Sequence, residues 1–165
     1  VQRPDADRFE IVMRSFELDP GAPRKPERNE TSFIRSHGGT AAHVLQAERQ
    51  MQAIACKEGL EYSLDCLVAN TFNLHRVVQY ANDQGRGFEF FSTVQNGFFT
   101  GILDPHALTG VAESVGLDGR RVREILASNE YAARVRADRD EAMELGATAR
   151  WPLRAHRRSL STASC

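Results

Sequence analysis

Three cysteines, five histidines and a few carboxylates around one extended segment are the residues in this chain that could do chemistry. Disulfide exchange needs a thiolate of lowered pKa at a helix N-terminus and a second thiol close enough to resolve the mixed disulfide, commonly as Cys-x-x-Cys. Cys56, Cys66 and Cys165 include no pair at that spacing. Cys56 falls late in a helical stretch, where the dipole opposes a thiolate, and Cys66 lies four residues before a helix cap at Asn70. Both read as small buried hydrophobes, with a Cys56–Cys66 disulfide as the lesser alternative. His37, His43, His75, His106 and His156 form no i, i+4 pair and no His-Glu-x-x-His pattern, so no metal site is expected. Glu10, Glu17 and Asp19 flank the extended segment, but nothing sets two of them around a common substrate, so acid–base chemistry is not indicated. No cofactor is expected.

The elements that must position these groups are mostly helical. Arg8–Leu18 alternates Phe9, Ile11 and Met13 against Glu10 and Arg14, which predicts a strand with one buried face. Pro20, Pro23 and Pro26 then remove backbone donors and take the chain out of any sheet. A short helix is predicted over Glu30–Ser36, followed by a longer one capped by Thr40 with Val44, Met51 and Ala55 on one stripe beside Ala47 and Ile54. Asn70 is the predicted N-cap of a helix from Thr71 to about Gln84. Phe88, Phe91, Val94 and Phe98 predict an aromatic face on the next helix, and Asp104-Pro105 starts another carrying Leu108, Val111, Ala112 and Val115. Asp118 opens a short helix with Val122, Ile125 and Leu126, and Ser128 opens one with Tyr131, Val135, Ala142 and Leu145. One strand makes no sheet, so the apolar face of Phe9, Ile11 and Met13 is expected to need another molecule, and a homodimer is the expected form.

Composition bounds the function. With 165 residues the chain suits one domain, and 41% apolar and 26% charged residues with a net charge of -1 give no basic surface for nucleic acid. No apolar run approaches the roughly 20 residues of a membrane span, and residues 1–10 contain no apolar leader core, so no membrane partner is expected and a reduced, cytoplasmic setting is.

Arg14–Pro20, RSFELDP, resembles the second core strand and its exit in FrnE-type members of the DsbA-like thioredoxin-fold oxidoreductases. Asn70–Arg76, NTFNLHR, resembles that family's signature at the start of a helix facing the redox site, and Pro105–Leu145 followed by Gly146-Ala147-Thr148 resembles the stretch leading into its cis-proline loop. The resemblance covers Phe9 to Thr148. It implies an α/β fold, a thioredoxin unit with a helical insertion, here mostly α-helical with an incomplete sheet; residues 1–149 would be a partial domain with the insertion over 30–146, and 150–165 a poorly ordered or aberrant tail. It implies protein or small-molecule thiols and disulfides as partners, Asn70, Thr71 and His75 along the substrate groove, and Thr148 and Pro152 in the cis-proline region, with Pro152 one residue later than the family places its proline. The family's first strand and CxxC helix would precede Arg8, so the chain is expected to be truncated and, as given, inactive in thiol–disulfide exchange. Two further readings share the same helices: a kappa-type glutathione-dependent isomerase or transferase, and a non-catalytic helical binding module using Phe88, Phe90, Phe91, Phe98 and Phe99.

Overall fold

Among the described residues the segment predicted as a strand has no strand beside it, and helix side chains serve its backbone instead. The computed structural model describes residues 11–100 and 105–147, and Arg8–Glu10 lie outside them. Asn82 accepts from the Met13 N–H at 3.4 Å and donates to the Met13 carbonyl at 2.7 Å, while Asp138 accepts from the Ser15 N–H at 2.8 Å. Gln79 donates to the Ser15 hydroxyl at 2.8 Å and to Asp138 at 2.7 Å, which ties the two anchors together. The inward parity is the predicted one, but what it buries is polar: Ser15 and Glu17 are buried whereas Ile11 is exposed.

The chain next turns at Asp19, whose carbonyl accepts from the Ala22 N–H at 3.1 Å, and enters a first group of elements. Strand β1 (Glu27–Arg28) pairs antiparallel with β2 (Leu67–Val68), Glu27 opposite Val68 and Arg28 opposite Leu67. Strands of two residues carry no alternation to read, so this small sheet was not predictable from pattern. Between them lie α1 (Asn29–His37) and α2 (Ala41–Lys57). Thr40 caps α2 as predicted, accepting from the His43 N–H at 3.4 Å. The α2 stripe is a correction: Val44 is buried, but Met51 and Ile54 are exposed, because α2 packs on α1 and on Tyr62 while Met51 and Ile54 border an open hollow.

A second group is built around α3 (Phe72–Asp83), with α4 (Gly87–Thr100), α5 (Pro105–Ser114), α6 (Gly119–Ala127) and α7 (Ala132–Glu144). Residues Leu74 to Ala81 of α3 are all buried, as a helix enclosed on every side must be. Val77, Val78 and Ala81 meet Phe90 and Val94 of α4, Ala112 of α5 and Val122 and Ile125 of α6 in one core. Each fully buried side chain of the size of Phe90 or Ile125 contributes about 1.5–3 kcal/mol. The predicted α4 stripe holds at Val94, which is buried, and at Phe91, which packs against the core, but fails at Phe88, which is exposed, while Phe90, outside the stripe, is fully buried; the side chain of Phe98 lies outside the described residues. Phe90 therefore belongs to the core and is not part of a docking face.

Gly87 opens α4 because a side chain there would collide with Asn82: a Cβ would lie 1.8 Å from Asn82 Oδ1, the atom that holds Met13. Asp118 caps α6 as predicted, accepting from Arg120 N–H at 2.8 Å and Arg121 N–H at 3.3 Å. Ser128 does not cap α7. It closes α6, and its hydroxyl accepts from the Glu130 N–H at 3.2 Å; α7 begins after Tyr131, which adopts a left-handed conformation at φ 62°. Leu145 also departs from its predicted stripe and is exposed.

Arg76 on α3 is buried and fastens this turn. Its guanidinium donates to the carbonyls of Glu130 at 2.8 Å, Ser128 at 2.7 Å and Ile125, and to Asn73 Oδ1 at 3.0 Å. A planar fork of donors suits the diverging carbonyls at a helix end.

Candidate functional site

The predicted site residues gather where the extended segment, the small sheet and α3 meet. Asn70 is the knot. Its backbone N–H donates to the Pro23 carbonyl at 2.9 Å, and its side-chain amide donates to the Pro20 carbonyl at 3.2 Å and to Glu17 at 3.4 Å. Its Oδ1 accepts from the Phe72 N–H at 3.0 Å, so it caps α3 from one residue further out than predicted, the formal cap position being Thr71. The Thr71 hydroxyl makes no capping bond, and the Thr71 carbonyl accepts from the His75 N–H at 3.0 Å.

Thr71 and His75 line a cavity of about 400 Å³. Phe16, Leu18 and Asp19 of the extended segment form one side, Ser32, Val68 and Ala69 another, and Leu74, Phe91, Val94 and Gln95 the base. Its wall is largely apolar, with Thr71, His75, Ser32, Asp19 and Gln95 as the polar groups. That is the usual make-up of a small-molecule or side-chain pocket.

His75 is buried, not a solvated surface residue, and its Nδ1 has no hydrogen-bond partner. Burial holds the imidazole below the ordinary histidine range, against the opposing pull of the Phe16 carbonyl and the Asp138 carboxylate. A neutral ring with its proton on Nε2, toward Phe16, and a bare lone pair on Nδ1 fits these partners.

Neither described cysteine, Cys56 or Cys66, lines this cavity. Cys66 is buried beside β2, its thiol donating to the Ser63 carbonyl at 2.9 Å, and burial pushes the thiol pKa up, helped by the Glu48 and Asp65 carboxylates. That is the environment of a structural thiol rather than a nucleophile. Cys56 is exposed near the end of α2, and the two are not joined in a disulfide. A second hollow of about 440 Å³ lies between Met51, Ile54 and Leu60 on one side and Gln95 and Asn96 of α4 on the other. Among the described residues no cluster of three or more His, Cys, Asp and Glu could hold a metal, and no helix is long and apolar enough to cross a membrane.

Thr148 and Pro152 lie outside the described residues, as does the tail over 150–165. Sequence reasoning missed the apolar wall made by Phe16, Leu18, Phe91 and Val94. Phe16 and Leu18 stand within RSFELDP, so a signal was present; Phe91 and Val94 were read only as a packing stripe.

Comparison with known proteins bears on this geometry. Residues 1–148 match the family model of the DSBA-like thioredoxin domain. The crystal structure of a "probable DsbA oxidoreductase" from Streptomyces coelicolor is similar, at 35% identity and a TM-score of 0.81, over 90% of this chain. This chain spans 66% of the length of that one. No curated protein matches.

Proposed function

Since the chain belongs to the DSBA-like thioredoxin domain family, we propose that it serves thiol–disulfide exchange as the substrate-holding part of the site, within the FrnE-type branch. The observation that carries this reading is the cavity walled by Phe16, Leu18, Thr71 and His75, which joins the two motifs, RSFELDP and NTFNLHR, on one surface. An apolar wall with a hydroxyl and a neutral imidazole can take an extended peptide or a small thiol by shape and one or two hydrogen bonds. It offers no nucleophile. Asn70 orders the rim, and Thr71 and His75 face the bound group.

The redox dithiol is not supplied by Cys56 and Cys66. Cys66 is buried with a raised pKa, Cys56 stands exposed near the end of α2, and the two lie ten residues apart in sequence rather than at Cys-x-x-Cys spacing. This chain by itself therefore does not accelerate disulfide exchange, and reduced thiols of this kind suit a reducing, cytoplasmic setting.

The experiment is reduction of insulin by dithiothreitol with and without the chain, alongside Cys56→Ser and Cys66→Ser. The expected rate equals the free-thiol background in all three. A rate well above background that either substitution abolishes would make Cys56 and Cys66 the active pair and overturn the reading.

A further inference from the structure

The helices fall into two groups that scarcely pack against one another. Every extensive pairing lies either within β1, α1, α2 and β2 or among α3 to α7. The extended segment belongs to the second group through its bonds from Asn82, Gln79 and Asp138. The chain thus leaves the α3–α7 body after Leu18, makes the first group over Glu27–Val68, and returns at Phe72. Two cavities lie on the seam, that of Thr71 and His75 and that of Met51 and Ile54, each taking one side from the first group and another from α3 or α4.

Both crossings pass through one point. The outgoing chain is held at Pro20 and Pro23, the returning chain at Asn70, and among the described residues Asn70 makes the bonds between them: its N–H to Pro23 at 2.9 Å and its side-chain amide to Pro20 at 3.2 Å and Glu17 at 3.4 Å. Helix α2 adds little side-chain burial to the seam, since it buries Val44 alone and leaves Leu45, Met51 and Ile54 exposed. A unit fastened at one place and loosely packed elsewhere moves as a rigid body about that place.

We propose that Glu27–Val68 is a lid over the cavity of Thr71 and His75, and that Asn70 is the pin on which it swings. The juxtaposition that carries this is two chain crossings clamped by one asparagine, with the cavity directly on the seam between two otherwise separate helix groups. Opening uncovers Leu74, His75, Phe91 and Val94 from the Ser32, Val68 and Ala69 side, so the pin regulates access to the cavity without touching what binds there. The inference needs the cavity and the hinge, not the thiol chemistry proposed above.

The test uses the full chain with Cys165→Ser, spin-labelled at the exposed Cys56 of α2 and at Ala133→Cys on α7, with the buried Cys66 left unlabelled. Pulsed electron–electron resonance should show two distance populations, the longer being the open lid. Asn70→Ser keeps an oxygen that can cap α3 but removes the amide donors to Pro20 and Glu17, and it should at least double the longer population. A single narrow distance in the unsubstituted chain overturns the proposal whatever the variant does. So does an Asn70→Ser distribution that matches it, because capping alone would then account for the residue. Insulin reduction at background leaves this result unaffected, so the two readings fail separately.

Discussion

Replacing Arg76 by alanine tests the claim that the helix turn from α6 to α7 hangs on one buried guanidinium. Arg76 donates to three backbone carbonyls, those of Ile125, Ser128 and Glu130, and to Asn73 Oδ1. Bonds from a charged donor are worth about 1.5–3 kcal/mol each, but the sum overstates the loss. The Ile125 carbonyl keeps the Ser128 N–H and hydroxyl, both at 3.1 Å, and Ser128 and Glu130 are exposed enough for water to replace the lost donors. Burying the guanidinium also costs desolvation, which is what pulls its pKa down in spite of the nearby Glu130. The net loss for Arg76→Ala is therefore about 3 kcal/mol, the low end for breaking a buried charged contact. At 2–4 °C per kcal/mol for a chain of this size, Tm should fall by about 6–12 °C. Arg76→Lys keeps the charge but cannot fork toward Ile125, Ser128 and Glu130 together, and should lose roughly half as much. Urea unfolding followed by circular dichroism reads both values. An alanine variant within about 1 kcal/mol of the parent, or a lysine variant as weak as alanine, would refute the reasoning.

Two further outcomes follow from the same contacts. Because burial lowers the His75 pKa in the folded state, the unfolded chain takes up the proton first as pH falls below about 6.5, so stability is full above that pH and declines until the folded ring also protonates; urea midpoints at pH 8, 6.5 and 5 should fall in that order, and His75→Leu should flatten the decline. Gly87→Ala should push Asn82 off Met13 and cost about 1–3 kcal/mol, whereas in an Asn82→Ala background the same change should be neutral or stabilising by up to about 1 kcal/mol, and simple additivity of the two would count against the contact.

The helices were legible because their signals are local. Thr40 and Asp118 cap where a hydroxyl or carboxylate precedes an apolar run, and Leu108, Ala112 and Val115 are buried as their spacing requires. The expected fold is the one found, a DsbA-like thioredoxin fold that is mostly helical with a small two-stranded sheet. What failed was whatever depends on a partner far away in sequence. Met51 and Ile54 repeat like core residues, but periodicity says only that a face is apolar, not that another element covers it. Ser128 looks like a cap, yet Arg76 holds its carbonyl and so makes it the end of α6. The strand failed in the same way: Arg8–Leu18 has the right alternation, and the ladder it needs is replaced by Asn82, Gln79 and Asp138, residues that no pattern within the strand could name.

The motif at the start of α3 shows why seven residues can identify so much of a chain. In NTFNLHR each position meets a different part of the molecule. Asn70 binds the Pro20–Pro23 connector, Thr71 and His75 face the cavity, Leu74 enters the core and Arg76 closes α6 more than fifty residues later in sequence. Phe72 carries the Arg136 guanidinium of α7 over its ring at 5.5 Å. Thr71, Leu74 and His75 stand where a bound group would touch them, so the rest of the motif is architecture. A substitution at Asn70 or Arg76 should therefore change access or stability first, and binding in the cavity only through them, whereas a substitution at His75 acts on the cavity wall itself. That division follows from α3 being enclosed on all sides: a helix at the centre of the fold has no face left over, and each side chain on it is committed to whichever neighbour its angle meets.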